Sequence, residues 1–315
     1  DRAALLPTKT KGLINANGVL IGLDWQAKLP FFQSFFDNGA AQVALVDGKT
    51  GCGKTFFMFF VAIELAGIGV HGSVIDIKGN EWSKIMKFIK GSIEIKMTGK
   101  NARFVNTLRL DNIQCDKDNC EELYDNAVQG TIDIFTIIVK LQENEGNIAD
   151  LVTVLETAIN KLYSQHDVVR DNPETFARTR DFKYSDVIDI VIDLKNTKSF
   201  SDAQRHICGL IQTRSAPFFV SEGRYADAMK NELTVSEIIE SPFVIYNMNK
   251  NNAETLSTLD DLKIYMSQFL DGEKHFLRKQ QKLHTAAFYE ELQRCGSLST
   301  LVRSISARVT GSRSC

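Results

Sequence analysis

The stretch Gly48-Lys49-Thr50-Gly51-Cys52-Gly53-Lys54-Thr55 constrains this chain more than any other. It matches G-x-x-x-x-G-K-[ST], a loop whose backbone curls so that successive N–H groups face phosphate oxygens. Such a loop needs a strand to deliver it and a helix to receive it. The helix N-terminus adds further N–H donors and the positive end of a dipole. Both neighbours are legible. Gln42-Val43-Ala44-Leu45-Val46 reads as a buried strand, and residues 56–65 read as a buried helix. A glycine-rich turn matching by chance is the plainer alternative, and the placement between strand and helix argues against it. Gly48, Lys49, Thr50, Gly51, Cys52, Gly53, Lys54 and Thr55 are therefore expected to cradle a nucleoside triphosphate. Lys54 would reach the β- and γ-phosphates, and the Thr55 hydroxyl would hold Mg²⁺.

A parallel sheet is the natural frame for this loop. Gly72-Ser73-Val74-Ile75-Asp76 reads as the second strand, and strand–helix–strand units of this length form parallel pairs with a right-handed crossover. Ligands in such sheets lie at the carboxyl ends of the strands, where Asp76 sits. Upstream, residues 1–40 form a lead-in segment. Val19 to Asp24 reads as a short strand or hairpin arm, and Pro30, Phe31, Phe32, Phe35 and Phe36 read as core packing. Apolar residues recur at helical spacing over 121–141 and 148–165. Asp171-Asn172-Pro173 breaks the pattern. Ser185 is the expected N-cap of a helix over 186–194, and 202–213 reads as another helix. Residues 111–216 thus read as an all-helical insertion between two core segments, 41–110 and 217–315. In the second segment 243–246 and 285–289 read as strands, and 256–279 and 298–308 as helices. The predicted fold class is α/β, a RecA-like P-loop NTPase with a mostly parallel sheet flanked by helices.

Composition narrows the field without deciding it. At 315 residues the chain makes one large domain or two, and 43% hydrophobic with 24% charged residues is ordinary for a globular protein. A net charge of −2 excludes a global basic signature for nucleic acid, while a local patch stays open. No apolar run approaches the ~20 residues of a membrane-spanning helix, and no signal peptide is visible. The start at Asp1 rather than Met suggests a fragment or a processed product. Among six cysteines, Cys52 lies inside the phosphate loop, which suits a reduced thiol. Cys115 and Cys120 flank Asp116-Lys117-Asp118-Asn119. A metal site there would need two more ligands, so a solvated loop is the expectation. The five histidines show no ligand spacing.

Hydrolysis needs more than a cradle. One carboxylate must hold Mg²⁺ and one must orient water, and both should follow a buried strand. Ala286 to Tyr289 followed by Glu290-Glu291 fits, with Glu290 in the Mg²⁺ shell and Glu291 polarising the water. Two surface glutamates opening a helix are the alternative. Asp76 is the rival metal carboxylate, with Lys78 and Glu81 nearby, though its place suits a second-strand role better. Arginines follow the acids. An arginine delivered across a subunit interface stabilises charge on the transferring phosphoryl group, and the region from Arg308 to Arg313 is the expected source.

Taken in order, these elements resemble a family. Gly48–Thr55, Asp76-Ile77-Lys78-Gly79-Asn80-Glu81, a long helical insertion, Glu222-Gly223-Arg224-Tyr225, the strand at 243–246, Tyr289-Glu290-Glu291-Leu292 and Thr310-Gly311-Ser312-Arg313-Ser314 are similar to the HerA–FtsK group of ATPases. Within it the likeness is to conjugative type IV secretion ATPases of the VirB-four kind. Asp76-x-Lys78-Gly79 resembles their Asp-Pro-Lys-Gly signature, with Ile77 in place of Pro. Glu290-Glu291 stands where Asp-Glu is usual, which moves the first carboxylate by a methylene. Gly311-x-Arg313-Ser314 resembles the element after it. The glutamine strand that normally follows is absent, as is the usual amino-terminal domain, so the motor domain looks truncated.

The resemblance implies an ATP-hydrolysing motor domain using ATP and Mg²⁺. It also implies a homo-oligomer, hexameric when complete, at the cytoplasmic face of a cell membrane against inner-membrane proteins of a secretion channel. Two other readings stay open. One is a DNA translocase or coupling protein that grips DNA, for which a basic or aromatic pore loop and salt-dependent DNA affinity would speak. The other is a nucleotide-gated scaffold with weak hydrolysis, for which Glu290 speaks. A kinase is disfavoured by the lack of an arginine-rich lid.

Overall fold

A computed structural model of the chain describes residues 18–23, 28–34, 46–49, 51–79, 81–98, 102–111, 117, 119–220, 222–223, 225–229, 231–249, 257–281 and 283–289. Residues 42–45 of the expected strand 42–46, Phe35, Phe36, Cys115 and the expected helix at 298–308 lie outside these residues.

Strands β3 (His71–Asp76), β4 (Ile93–Lys96), β5 (Phe243–Asn247) and β6 (Thr285–Tyr289) form one parallel sheet in the order β4-β5-β3-β6. β3 is central, with Val74 opposite Ile245 on one side and Phe288 on the other. Such strands are covered on both faces, which is why they read as apolar runs rather than as alternating patterns. One face carries Val74, Ile245, Phe243 and Phe288. It packs on Trp82 and on Ala62 of helix α1 (Lys54–Gly67). The opposite face carries Ile75, Val244, Tyr246 and Ile95, and joins a large apolar cluster.

That cluster continues without a break into a bundle of α2 (Cys120–Val139), α3 (Ile148–Gln165), α4 (Tyr184–Lys195) and α5 (Asp202–Phe219). Helix α7 (Thr258–Gln280) is the crossover between β5 and β6 and packs against α2. The helical region and the sheet therefore share one core. Helix ends are set by side chains. Asn147 Oδ1 accepts from Ala149 N at 2.9 Å, and Ser257 and Asp260 cap α7 reciprocally. A short hairpin of β1 (Val19–Leu23) and β2 (Pro30–Gln33) precedes the sheet, and helix α6 (Val235–Ile238) precedes β5.

Several expectations need correction. Ser185 is not the cap of α4. The helix opens two residues earlier than expected, at Tyr184, and the Asp186 carboxylate accepts the Lys183 N–H at 2.9 Å. Tyr184 is drawn into the helix by its own burial, its hydroxyl donating to Val105 O and accepting from Thr107 N. Helix α5 does not stop at residue 213 but runs to Phe219 through Pro217. Pro217 removes one N–H, while buried Phe218 and the tilted ring contact of Phe219 with Tyr184, at 4.6 Å, hold the last turn. Helix α1 is not buried throughout: Val61, Ala62 and Leu65 are, whereas Phe56 is 75% exposed. Pro30 and Phe31 are exposed rather than core, and Phe32 is half-buried. Cys120 is not in a solvated loop. It is buried at the start of α2, and its thiol donates to Lys117 O at 3.2 Å.

Candidate functional site

The phosphate loop is built around two left-handed glycines. Gly51 and Gly53 have φ of 81° and 93°, a region that costs a side-chain-bearing residue about 1–2 kcal/mol. These two reversals turn the chain so that Cys52 N–H donates to Lys49 O at 3.2 Å and Phe57 N–H to Gly53 O at 2.9 Å. The cradle is also tight: a Cβ on Gly48 would meet Cys52 Sγ at 2.6 Å. Gly53 is the N-cap of α1 and offers no side chain to the helix's first N–H groups, and no acid sits in the first turn. The donors and the positive end of the dipole therefore remain for an external anion. Lys54 is the first helical residue. Its ammonium donates to Gly48 O at 2.7 Å and Lys49 O at 3.0 Å, so a phosphate would compete for it with the loop's own carbonyls. Lys49 and Cys52 are exposed, and Thr55 is half-buried.

Asp76 has a structural task at the position the sequence marked. It is 1% exposed, and both carboxylate oxygens are used on backbone: Oδ1 accepts from Gly79 N at 2.8 Å and Oδ2 from Trp82 N at 3.1 Å. The carboxylate thus folds the loop at the end of β3 and seats Trp82 in the core under α1. Gly79 is required twice over. Its φ is 78°, and a Cβ there would lie 2.6 Å from Asn249 N. Asn247, the last residue of β5, donates its amide to Gly79 O at 2.8 Å and to Glu94, which in turn accepts from Ser83 Oγ at 3.0 Å. Asn247, Glu94 and Ser83 went unmarked in the sequence. The signal for Asn247 was there: it stands at the carboxyl end of an apolar strand, one residue beyond 246.

These pieces meet at one end of the sheet. β3 and β5 end side by side at Asp76 and Asn247, and Ile75 pairs with Tyr289, the last residue of β6. Since α1 runs back to the start of β3, its N-terminus and the phosphate loop stand at the same, carboxyl, end. Thr50, Glu290, Glu291, Arg308 and Arg313 lie outside the described residues.

Electrostatics are most strained at the other end. His71, at the start of β3, has its pKa lowered to about 4 by burial first, then by the nearby positive charges of Arg278 and Lys274. Lys274 is itself lowered to about 8, chiefly by burial, and donates to Ser241 O at 2.6 Å. Beside the helical bundle Arg109 forks between Asp111, at 2.8 and 2.9 Å, and Glu232, tying the segment after β4 to the one before α6.

No protein-family model matches the chain, and no curated protein matches it. Among solved structures it is similar to VirB4 of Thermoanaerobacter pseudethanolicus, with a TM-score of 0.60 and 13% sequence identity. The likeness covers 96% of this chain and 76% of that one. At this identity it establishes the fold, a P-loop α/β architecture. It agrees with the resemblance carried by the motifs.

Proposed function

We propose that the chain is an ATP-binding and ATP-hydrolysing motor domain that energises a conjugative or type IV secretion apparatus. The observation that carries this reading is the phosphate loop itself. Two left-handed glycines aim an uncapped helix N-terminus outward, and Lys54 is its first residue. The residues fit a nucleoside triphosphate: a loop turned by two left-handed glycines, and a lysine that reaches across it to the Gly48 carbonyl. The likeness of fold to VirB4 supports the same class.

When bound, Mg²⁺ would neutralise charge on the β- and γ-phosphates. Among the described residues no group of three His, Cys, Asp or Glu could hold a metal. Thr55, one carboxylate and the phosphates would share the Mg²⁺. Glu290 would supply that carboxylate and Glu291 would orient the attacking water. Asp76 supports the site by holding the adjacent loop. An arginine from the 308–313 region of a neighbouring copy would complete it, in a ring at the cytoplasmic face of a membrane against channel proteins. Residues 111–216 would be an insertion in the motor core.

The test is steady-state MgATP hydrolysis by the parent chain, Lys54→Ala and Glu291→Gln, with and without DNA. Turnover lost in both variants and indifferent to DNA is expected. Strong stimulation by DNA would instead assign a DNA-gripping translocase. Nucleotide bound through Lys54 without turnover would assign a scaffold.

A further inference from the structure

Between β3 and β4 lies a surface that the nucleotide site does not use. Residues 82–92, Trp-Ser-Lys-Ile-Met-Lys-Phe-Ile-Lys-Gly-Ser, contain three lysines and no acid. Trp82–Lys87 is a 3₁₀ turn that buries Trp82 and Ile85, with Ile89 following them into the core. What that burial leaves outside is Lys84, Lys87 and Lys90, all exposed, and Phe88, 70% exposed. The three-residue repeat of a 3₁₀ turn stacks Lys84 over Lys87. None of the three makes an ion pair among the described residues.

Of the nearby acids, Glu81 stands at the N-cap of the turn, three residues before Lys84, and makes no ion pair with it, while Glu94 and Glu240 are engaged elsewhere. Glu94 binds Ser83 and Asn247, and Glu240 acts on Arg278 and Lys274. The turn is also rigid. Ile85 O accepts from both Phe88 N at 2.8 Å and Ile89 N at 3.1 Å, and Ser92 closes back on Ile89 O. Phe88 is therefore held outward before any partner arrives, which lowers the ordering cost of binding. The turn starts at the carboxyl end, where Asp76 holds Trp82, and runs back until Gly91 packs near Pro242, just ahead of β5, so Phe88 and Lys90 stand toward the amino end of the sheet.

We propose that this turn docks on the surface of an anionic lipid bilayer, Phe88 entering the interface and Lys84, Lys87 and Lys90 meeting lipid phosphates. An outward apolar tip ringed by lysines is the chemistry of such contacts. Single-stranded nucleic acid is matched less well, because its binding surfaces offer several stacking aromatics along a groove, and arginine. Here one aromatic is presented and every cation is a lysine. The turn makes a contact and not a span: among the described residues no helix is long and apolar enough to cross a membrane. The proposal stands apart from the nucleotide site, since Phe88 and Lys90 lie toward the opposite end of the sheet.

The test is co-sedimentation of the full chain with phosphatidylglycerol–phosphatidylcholine vesicles and with pure phosphatidylcholine. Preferential binding to the anionic vesicles, weakened by salt, is expected. Each lysine-to-glutamine change should weaken partitioning about five-fold, and Lys84→Gln, Lys87→Gln and Lys90→Gln together about a hundred-fold. Phe88→Trp supplies a second readout on an otherwise parental chain, a blue shift of the added emission with anionic vesicles. Equal binding to both vesicles, parental binding by the triple variant, or no shift from the introduced indole overturns the proposal. So does binding of an oligonucleotide through these lysines without vesicle binding. Thermal unfolding of each variant checks that the fold is intact.

Discussion

Asp76→Asn separates two roles that its position allows. If the carboxylate organises the loop after β3, the substitution acts on stability. An asparagine of the same shape keeps one carbonyl acceptor and turns an NH₂ toward the other amide. One of the two N–H groups, at 2.8 Å from Gly79 or 3.1 Å from Trp82, then loses its acceptor. A buried N–H left without a partner costs about 1–3 kcal/mol, and the surviving bond loses its charge assistance, about 1 kcal/mol more. The expected loss is about 3 kcal/mol. At about 2.1 cal/mol/K per residue, 315 residues give an unfolding entropy of about 0.7 kcal/mol/K, so the melting midpoint should fall by about 4 °C. Calorimetry measures this, and nucleotide affinity should drop only as far as the loop loosens. A variant that melts with the parent yet has lost MgATP turnover would refute the reasoning and make Asp76 a metal or catalytic carboxylate.

Gly79→Ala should cost at least about 2 kcal/mol, because a left-handed alanine would also press on the Asn249 backbone. Urea unfolding followed through Trp82 fluorescence measures it, and a neutral result would mean the approach to Asn249 is not rigid. His71 is held below its ordinary value, so it is neutral in the fold where the unfolded chain already carries a proton. Its contribution is complete above about pH 6.5 and is lost as pH falls toward 4. His71→Gln should flatten that acid limb by at most about 3 kcal/mol, less for the solvated part of the ring. An unchanged limb would mean that His71 does not shape it, whether through burial or through the facing charges of Arg278 and Lys274. Alkylation of exposed Cys52 with N-ethylmaleimide should block nucleotide binding, because its sulfur stands over Gly48. Cys52→Ala should bind nucleotide and resist the reagent, and parental binding after complete alkylation would place the phosphates elsewhere.

Much of the frame was legible because a few residue types have narrow uses. Gly51, Gly53 and Lys54 read as a phosphate loop since only that backbone needs them in that order, and Gly72 to Asp76 read as a strand because burial on both faces leaves an apolar run. The limits lay wherever distant contacts decide. Nothing local told that Tyr184 would belong to its helix, because the reason is Val105 and Thr107, nearly eighty residues away. Nor could the composition of 202–219 show that Phe219 would outweigh Pro217. Asp76 was found by position, while its backbone-amide partners are ones that no sequence pattern displays. Asn247 was missed for the converse reason, being polar at the end of a strand that reads as wholly apolar.

The order of the strands bears on how the molecule comes to exist. β3 is flanked by β5 and β6, and β4 reaches it only through β5. Both neighbours of β3 are thus made after the whole helical bundle, more than 160 residues later. On a ribosome the chain would carry an unpaired, apolar β3 for the many seconds needed to synthesise that stretch. Closing so long a loop also slows pairing after release. The bundle can form first from its own local contacts, and newborn chains should depend on a chaperone to shield β3 until β5 emerges.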